Sequence, residues 1–233
     1  MRISILFIFL FSSAFFQAQI DSINLIRPAA ITAVTSDERA PFTHSDFDAE
    51  DLNKRDAAQD LPFLLRFAPS VVVTSDAGNG IGYTGMRIRG TDASRVNVTI
   101  NGVPLNDSES QGVYWVDLPD LGASVSGLQI QRGVGTSTVG AGAFGASVAV
   151  NTLGAIVKPG VRAVLGMGSF NSSRESVSWN TGMIGNGFSF DGRASHVSSD
   201  GYIDRASSEL NSLYTSIAKR WLSGRMSFTT MLG

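Results

Sequence analysis

The sequence predicts an α+β domain, a small mixed sheet with short helices, followed by the first antiparallel strands of a large transmembrane β-barrel. Two patterns carry this. Between Met86 and Thr152, short β-type runs alternate with turns and a glycine-rich stretch. From Gly160 onward, segments of about ten residues alternate apolar and polar positions between turn residues, the weak per-segment signature of membrane barrel strands.

The Met86–Thr152 stretch sets the frame. Met86–Arg89, Arg95–Ile100 and Val125–Gln131 read as strands. In the second, Val96, Val98 and Ile100 are apolar while Arg95, Asn97 and Thr99 are polar, the period of a half-buried strand. Asn101-Gly102 supplies a turn, because both residues tolerate positive φ. A glycine-rich run, with Gly133, Gly135, Gly140, Gly142 and Gly145, leads into Ser147–Thr152, which alternates again.

These motifs resemble the plug domain of TonB-dependent outer-membrane receptors. One is Arg87-Ile88-Arg89-Gly90 followed by a strand and Asn101-Gly102-Val103-Pro104. The other is Leu128-Gln129-Ile130-Gln131-Arg132-Gly133, a Gly/Ala run, and a short strand ending at Asn151-Thr152. Val134, Val139 and Gln129 stand where the family often has Pro, Tyr and Glu.

Upstream, Asp48 can cap a short turn through Leu52. Asp56 with Gln59 has capping-box spacing. Leu61, Leu64, Leu65 and Ala68 fall on one helical face, with Pro62 in its first turn, Asp60 as its cap and Pro69 as its stop. Val71–Val73 is a short strand, and Ser75–Gly85 and Leu105–Leu118 are loops.

The amino terminus has the layout of a secretory signal peptide: Arg2, an apolar run from Ile3 to Phe16, then small or polar residues, with cleavage expected after Ala18. The run is shorter than the roughly 20 residues of a spanning helix. The domains expected are a signal peptide over 1–18, a flexible periplasmic segment over 19–40, the plug over 41–155 and barrel strands over 156–233. A soluble β-sandwich would show similar alternation after Gly160; the signal peptide and the plug decide for the barrel. Family barrels have roughly 22 strands, and this chain supplies about five segments at ~10 residues each, so it reads as a fragment.

Net charge is −2 over 233 residues, which offers no basic field for nucleic acid. Cysteine is absent, which excludes disulfides and thiolate metal sites. Gly140–Gly145 matches G-x-G-x-x-G, but strand-like residues follow it and no acid occurs between Asp120 and Glu175, so a dinucleotide site is rejected. No cofactor, metal site or catalytic constellation is read, and an enzyme is not expected.

The resemblance implies TonB-dependent import of a scarce substrate, a metal chelate such as a ferric siderophore, across the bacterial outer membrane. The partners are TonB with its inner-membrane energising complex, outer-membrane lipid and the small-molecule substrate. A secreted or surface β-rich adhesion module is the alternative. The extendable run Ala30, Ile31, Thr32, Ala33 and Val34 is the candidate TonB box, able to add as a strand to a partner's sheet. Substrate-facing candidates are Asn79 and Tyr83 in one loop, and Asp107, Glu109, Gln111, Tyr114 and Trp115 in the other; the alternative for the second is a solvated loop with Trp115 tucked into the core. By family analogy, Arg89 and Arg132 pair with barrel carboxylates. No Lys or Arg occurs between Arg95 and Arg132, so an anionic cargo would take its positive partners from the barrel.

Overall fold

The computed structural model describes residues 42–55, 58–134, 143–152 and 159–233. The first part is an α+β domain. Its main sheet has the order β1-β6-β7-β4-β5, formed by β1 (His44–Asp48), β4 (Val96–Ile100), β5 (Val103–Pro104), β6 (Val125–Arg132) and β7 (Ala146–Thr152). β4 and β7 run parallel, and the other neighbours run antiparallel, so the sheet is mixed as expected. A separate hairpin joins β2 (Val71–Ser75) to β3 (Thr84–Ile88).

Two short helices cover the sheet. α1 (Ala49–Arg55) starts where the Asp48 carboxylate accepts the Asp51 amide at 2.7 Å, a side-chain cap. α2 (Leu61–Leu64) begins with Pro62 in its first turn. Leu61, Leu64, Leu65 and Ala68 are buried together with Leu52, Ile88, Val96, Val98, Leu128, Ile130 and Val148. This single apolar core stabilises the domain. Asp60 departs from the expected cap: its side chain makes no bond to the helix and turns to Thr84 instead.

β1 was not expected. HSDFD contains only Phe47 as a large apolar residue, and side chains hold the strand: Gln129 donates to Asp46 at 2.6 Å, and Arg132 donates to Ser45 and to the His44 carbonyl. No helix follows the glycine run, because Ala146–Thr152 is strand, which disposes of the dinucleotide motif.

The second part is a five-stranded antiparallel meander, β8 (Gly160–Gly168), β9 (Ser172–Asn180), β10 (Phe188–Ser199), β11 (Ser208–Trp221) and β12 (Gly224–Leu232), in sequential order. Its two faces differ. Val161, Leu165, Met167, Val177, Leu213, Ile217, Phe228 and Leu232 are exposed on one. Arg174, Ser176, Asp191, Arg193, Ser195, Tyr214 and Ser216 are buried on the other. Apolar side chains outward and polar ones inward is the alternation of a membrane barrel wall. No helix among the described residues is long and apolar enough to cross a membrane.

Candidate functional site

The α+β domain meets the strand arc at a polar seam. Asp120 occupies its centre. It follows Pro119, adopts a left-handed backbone (φ 57°, ψ 24°) and makes no side-chain cap to the 3-10 turn it precedes. Its carboxylate instead crosses to the arc. Arg174 Nη2 of β9 lies 2.6 Å from Oδ1, and Arg193 Nη1 of β10 lies 3.2 Å from Oδ2. All three side chains are nearly fully buried, at 1%, 7% and 5% exposure. A buried ion pair of this kind is costly to break, about 3–5 kcal/mol when one partner is removed, because the other charge stays desolvated.

Other contacts follow the same seam. The Tyr214 hydroxyl donates to Thr152 Oγ1 at 3.2 Å. Ser195 and Ser212 share a 2.7 Å hydrogen bond on the inward face. At the β10–β11 loop, the Tyr202 and Ile203 amides donate to the Ala77 carbonyl at 2.8 and 3.2 Å, and Asn79 Nδ2 donates to Ser199 at 2.7 Å. Phe170 and Tyr202 pack edge to face, 5.5 Å between centroids.

The loop from Asp76 to Tyr83 is pinned from its other side by Asp60. The Asp60 amide donates to the Gly80 carbonyl at 2.9 Å, and its carboxylate accepts from Thr84 Oγ1 at 2.8 Å. Burial pushes the Asp60 carboxyl up to about 7, against the hydrogen bonds from Thr84 and the Gly82 amide, which lower it. Gln59 adds a bond to the Asn79 carbonyl at 2.6 Å. Gly80 has φ 86°, and a Cβ there would sit 2.5 Å from the Phe63 ring, so the close approach needs glycine.

The structure spreads the expected site residues over different settings. Asn79 is spent on the seam, while Tyr83 is 64% exposed. Asp107 organises its own loop: the Ser110 amide and hydroxyl and the Glu109 amide donate to it, holding its carboxyl below the usual range. Gln111 sits in a left-handed conformation (φ 57°) and donates to the Ser108 carbonyl. Glu109 and Tyr114 are exposed. Trp115 is a correction: at 4% exposure it belongs to the apolar core and offers no surface to a ligand. The two loops leave different sheets, the first the β2–β3 hairpin and the second the main sheet, and the first bonds to the β10–β11 loop.

Arg132 lies against β1, with Nη1 2.8 Å from Ser45 Oγ. Arg89 is exposed in a left-handed turn (φ 55°) with its guanidinium over Gly133. Among the described residues neither meets a carboxylate of the arc; the ion pair that joins the two parts has the opposite polarity. Its arginines carry a sequence signal, because Arg174-x-Ser176-x-Ser178 and Asp191-x-Arg193-x-Ser195 mark the polar faces of alternating strands, where a buried cation needs an acid. Ala30–Val34 lies outside the described residues. Among the described residues no group of His, Asp and Glu could hold a metal.

Comparison with known proteins agrees with this architecture. Residues 36–147 match the family described as TonB-dependent Receptor Plug Domain. No curated protein matches the sequence. Among solved structures, the chain is similar to FauA, the alcaligin outer-membrane receptor of Bordetella pertussis, with TM-score 0.66 and 15% identity over 84% of this chain and 32% of that one. It is similar to PirA, a siderophore receptor of Acinetobacter baumannii, with TM-score 0.58 and 17% identity over 81% and 31%. It is also similar to the copper transporter OprC, with TM-score 0.62 and 18% identity over 80% and 30%. At such identities the likeness speaks to the fold. The chain spans about a third of the length of these receptors.

Proposed function

We propose that this chain, whose residues 36–147 are the plug domain of a TonB-dependent receptor, serves active import of a scarce metal chelate across the bacterial outer membrane. The observation that carries the reading is the seating of the plug, through Asp120, against strands whose outer face is apolar and inner face polar. A wall of that kind suits lipid on one side and a hydrated passage on the other. The receptors of similar fold named above include a siderophore receptor and a copper transporter, which favours a chelated metal as cargo.

Cargo arrives from outside on exposed plug loops, with Tyr83 and Tyr114 as flat apolar surfaces and Glu109 as a polar anchor. The Asp76–Tyr83 loop reports occupancy to the barrel through its bonds to Ser199 and Tyr202. The amino-terminal segment, with Ala30–Val34 as its extendable run, offers a strand to TonB, which pulls on the plug using the proton-motive force of the inner membrane. No covalent bond in the cargo changes.

The test is uptake of radio-iron presented as a panel of ferric siderophores, in cells that carry the full-length receptor with and without TonB. Uptake of at least one chelate should require both proteins. Replacing Ile31 or Val34 with Pro should abolish uptake while surface binding persists, because proline removes the main-chain donor. TonB-independent accumulation, or no chelate bound at all, would overturn the reading.

A further inference from the structure

We propose that Arg174 and Arg193 form a carboxylate-binding station on the inner barrel wall, occupied at rest by Asp120 and open to an anionic group of the cargo when the plug moves. The second half rests on the transport reading above; the first half does not.

The two arginines stand on neighbouring strands and point to the same face. Arg193 is paired in register with Ser178, and Arg174 with Val197, so both belong to the inward set of their strands. Each takes a different oxygen of one carboxylate, at 2.6 and 3.2 Å. Two guanidiniums gripping the two oxygens of a planar anion is the arrangement that selects carboxylate over a spherical ion. A second buried carboxylate, Asp191, stands two residues before Arg193 on the same inward face. Hydroxyls surround the arginine pair: Ser212 Oγ lies 3.5 Å from Arg193 Nη2 and is itself bonded to Ser195.

Asp120 behaves as a guest in this slot. It comes from the other domain, and its side chain gives up the helix-capping role that its position offers. Its left-handed backbone is uncommon for a non-glycine residue, though one that Asp tolerates. Withdrawal of Asp120 leaves two guanidiniums, held on neighbouring strands, facing the inner side of the wall. The plug between Arg95 and Arg132 lacks any cation, and this arginine pair is a cationic site on the facing wall.

Chemical rescue tests the station without cargo or TonB. Asp120→Gly suits the φ of 57° and removes the carboxylate. In the full-length receptor in detergent, heat-induced release of the plug is followed by its sensitivity to protease. Asp120→Gly should release its plug at lower temperature, and sodium acetate should raise that temperature in a saturable manner where equal sodium chloride does not. Wild type should not respond to acetate, nor should Asp120→Gly combined with Arg174→Gln and Arg193→Gln. Equal responses to acetate and chloride would overturn the proposal. If the variant does not assemble, refolding yield takes the place of melting: acetate should raise it selectively, and equal yields would overturn the proposal. Rescue with no chelate uptake would leave the station standing and remove the transport reading instead.

Discussion

Docking of the Asp76–Tyr83 loop should weaken as pH rises from about 4 to about 7, with Asp60 as the cause. Asp60 is 2% exposed and is pushed from 3.8 to about 7, chiefly by burial. No cation among the described residues pairs with it; Arg66 of the adjoining turn goes to Gln59 and the Phe63 carbonyl. A carboxyl whose value is raised in the folded state favours that state fully below its ordinary value. The advantage is lost as pH climbs through the folded value, and stability is level above it. Roughly three units at 1.36 kcal/mol each amount to about 4 kcal/mol. That loss should appear where Asp60 acts, at the Gly80 carbonyl, the Gly82 amide and Thr84. Hydrogen exchange of the peptide covering residues 76–84 reads it directly. Comparing wild type with Asp60→Asn at each pH cancels the intrinsic rate of exchange. The ratio of the two rates should rise by up to about tenfold per pH unit over this window and then flatten. A ratio independent of pH would show that the carboxyl is already ionised in the docked loop and would refute the reasoning.

Other outcomes follow from packing. Gly80→Ala must drive a methyl into the Phe63 ring at φ 86°, and should cost about 1–3 kcal/mol in loop protection, measured by the same exchange experiment. Trp115→Ala should cost about 3–5 kcal/mol of plug stability in denaturant melts, whereas Tyr114→Ala should leave stability within about 0.5 kcal/mol, because only Trp115 is in the core. On the outer face the Trp179 ring lies over Gly192, so Gly192→Ala should push the indole off the wall and shift its fluorescence in detergent while leaving the plug intact.

Strands whose pattern came from burial were readable in the sequence. β4, β7, β9 and β10 show period-two alternation, β3 and β6 read as short β-type runs, and the remaining arc strands stand out as roughly ten-residue segments between turns. β1 escaped because its pairing is set by polar side chains, Asp46 to Gln129 and Ser45 to Arg132, which leave no apolar period. Asp60 read as a helix cap because its chemistry and position suit one. Its choice of Thr84 depends on a loop 24 residues away that no local rule brings near. The seam was not read from the sequence. β9 and β10 alternate polar and apolar positions, but which plug residue meets their polar face depends on the assembled fold, and Leu118-Pro119-Asp120 reads locally as a turn. Trp115 shows the same limit in reverse: an aromatic in a long polar loop looks available until the core is assembled around it.

Among the described residues, β8 and β12 each pair with a neighbour on one side only. In hydrocarbon, every amide and carbonyl on such an open edge lacks the water that would satisfy it, at several kcal/mol per group. An arc of five strands therefore has no intermediate resting depth in a bilayer. It either stays in water, with its Leu165, Met167 and Phe228 face sticky toward other chains, or enters as part of a closed cylinder. Insertion and closure become one event, and the polar face already seated on the plug can enter a bilayer only when both edges are paired.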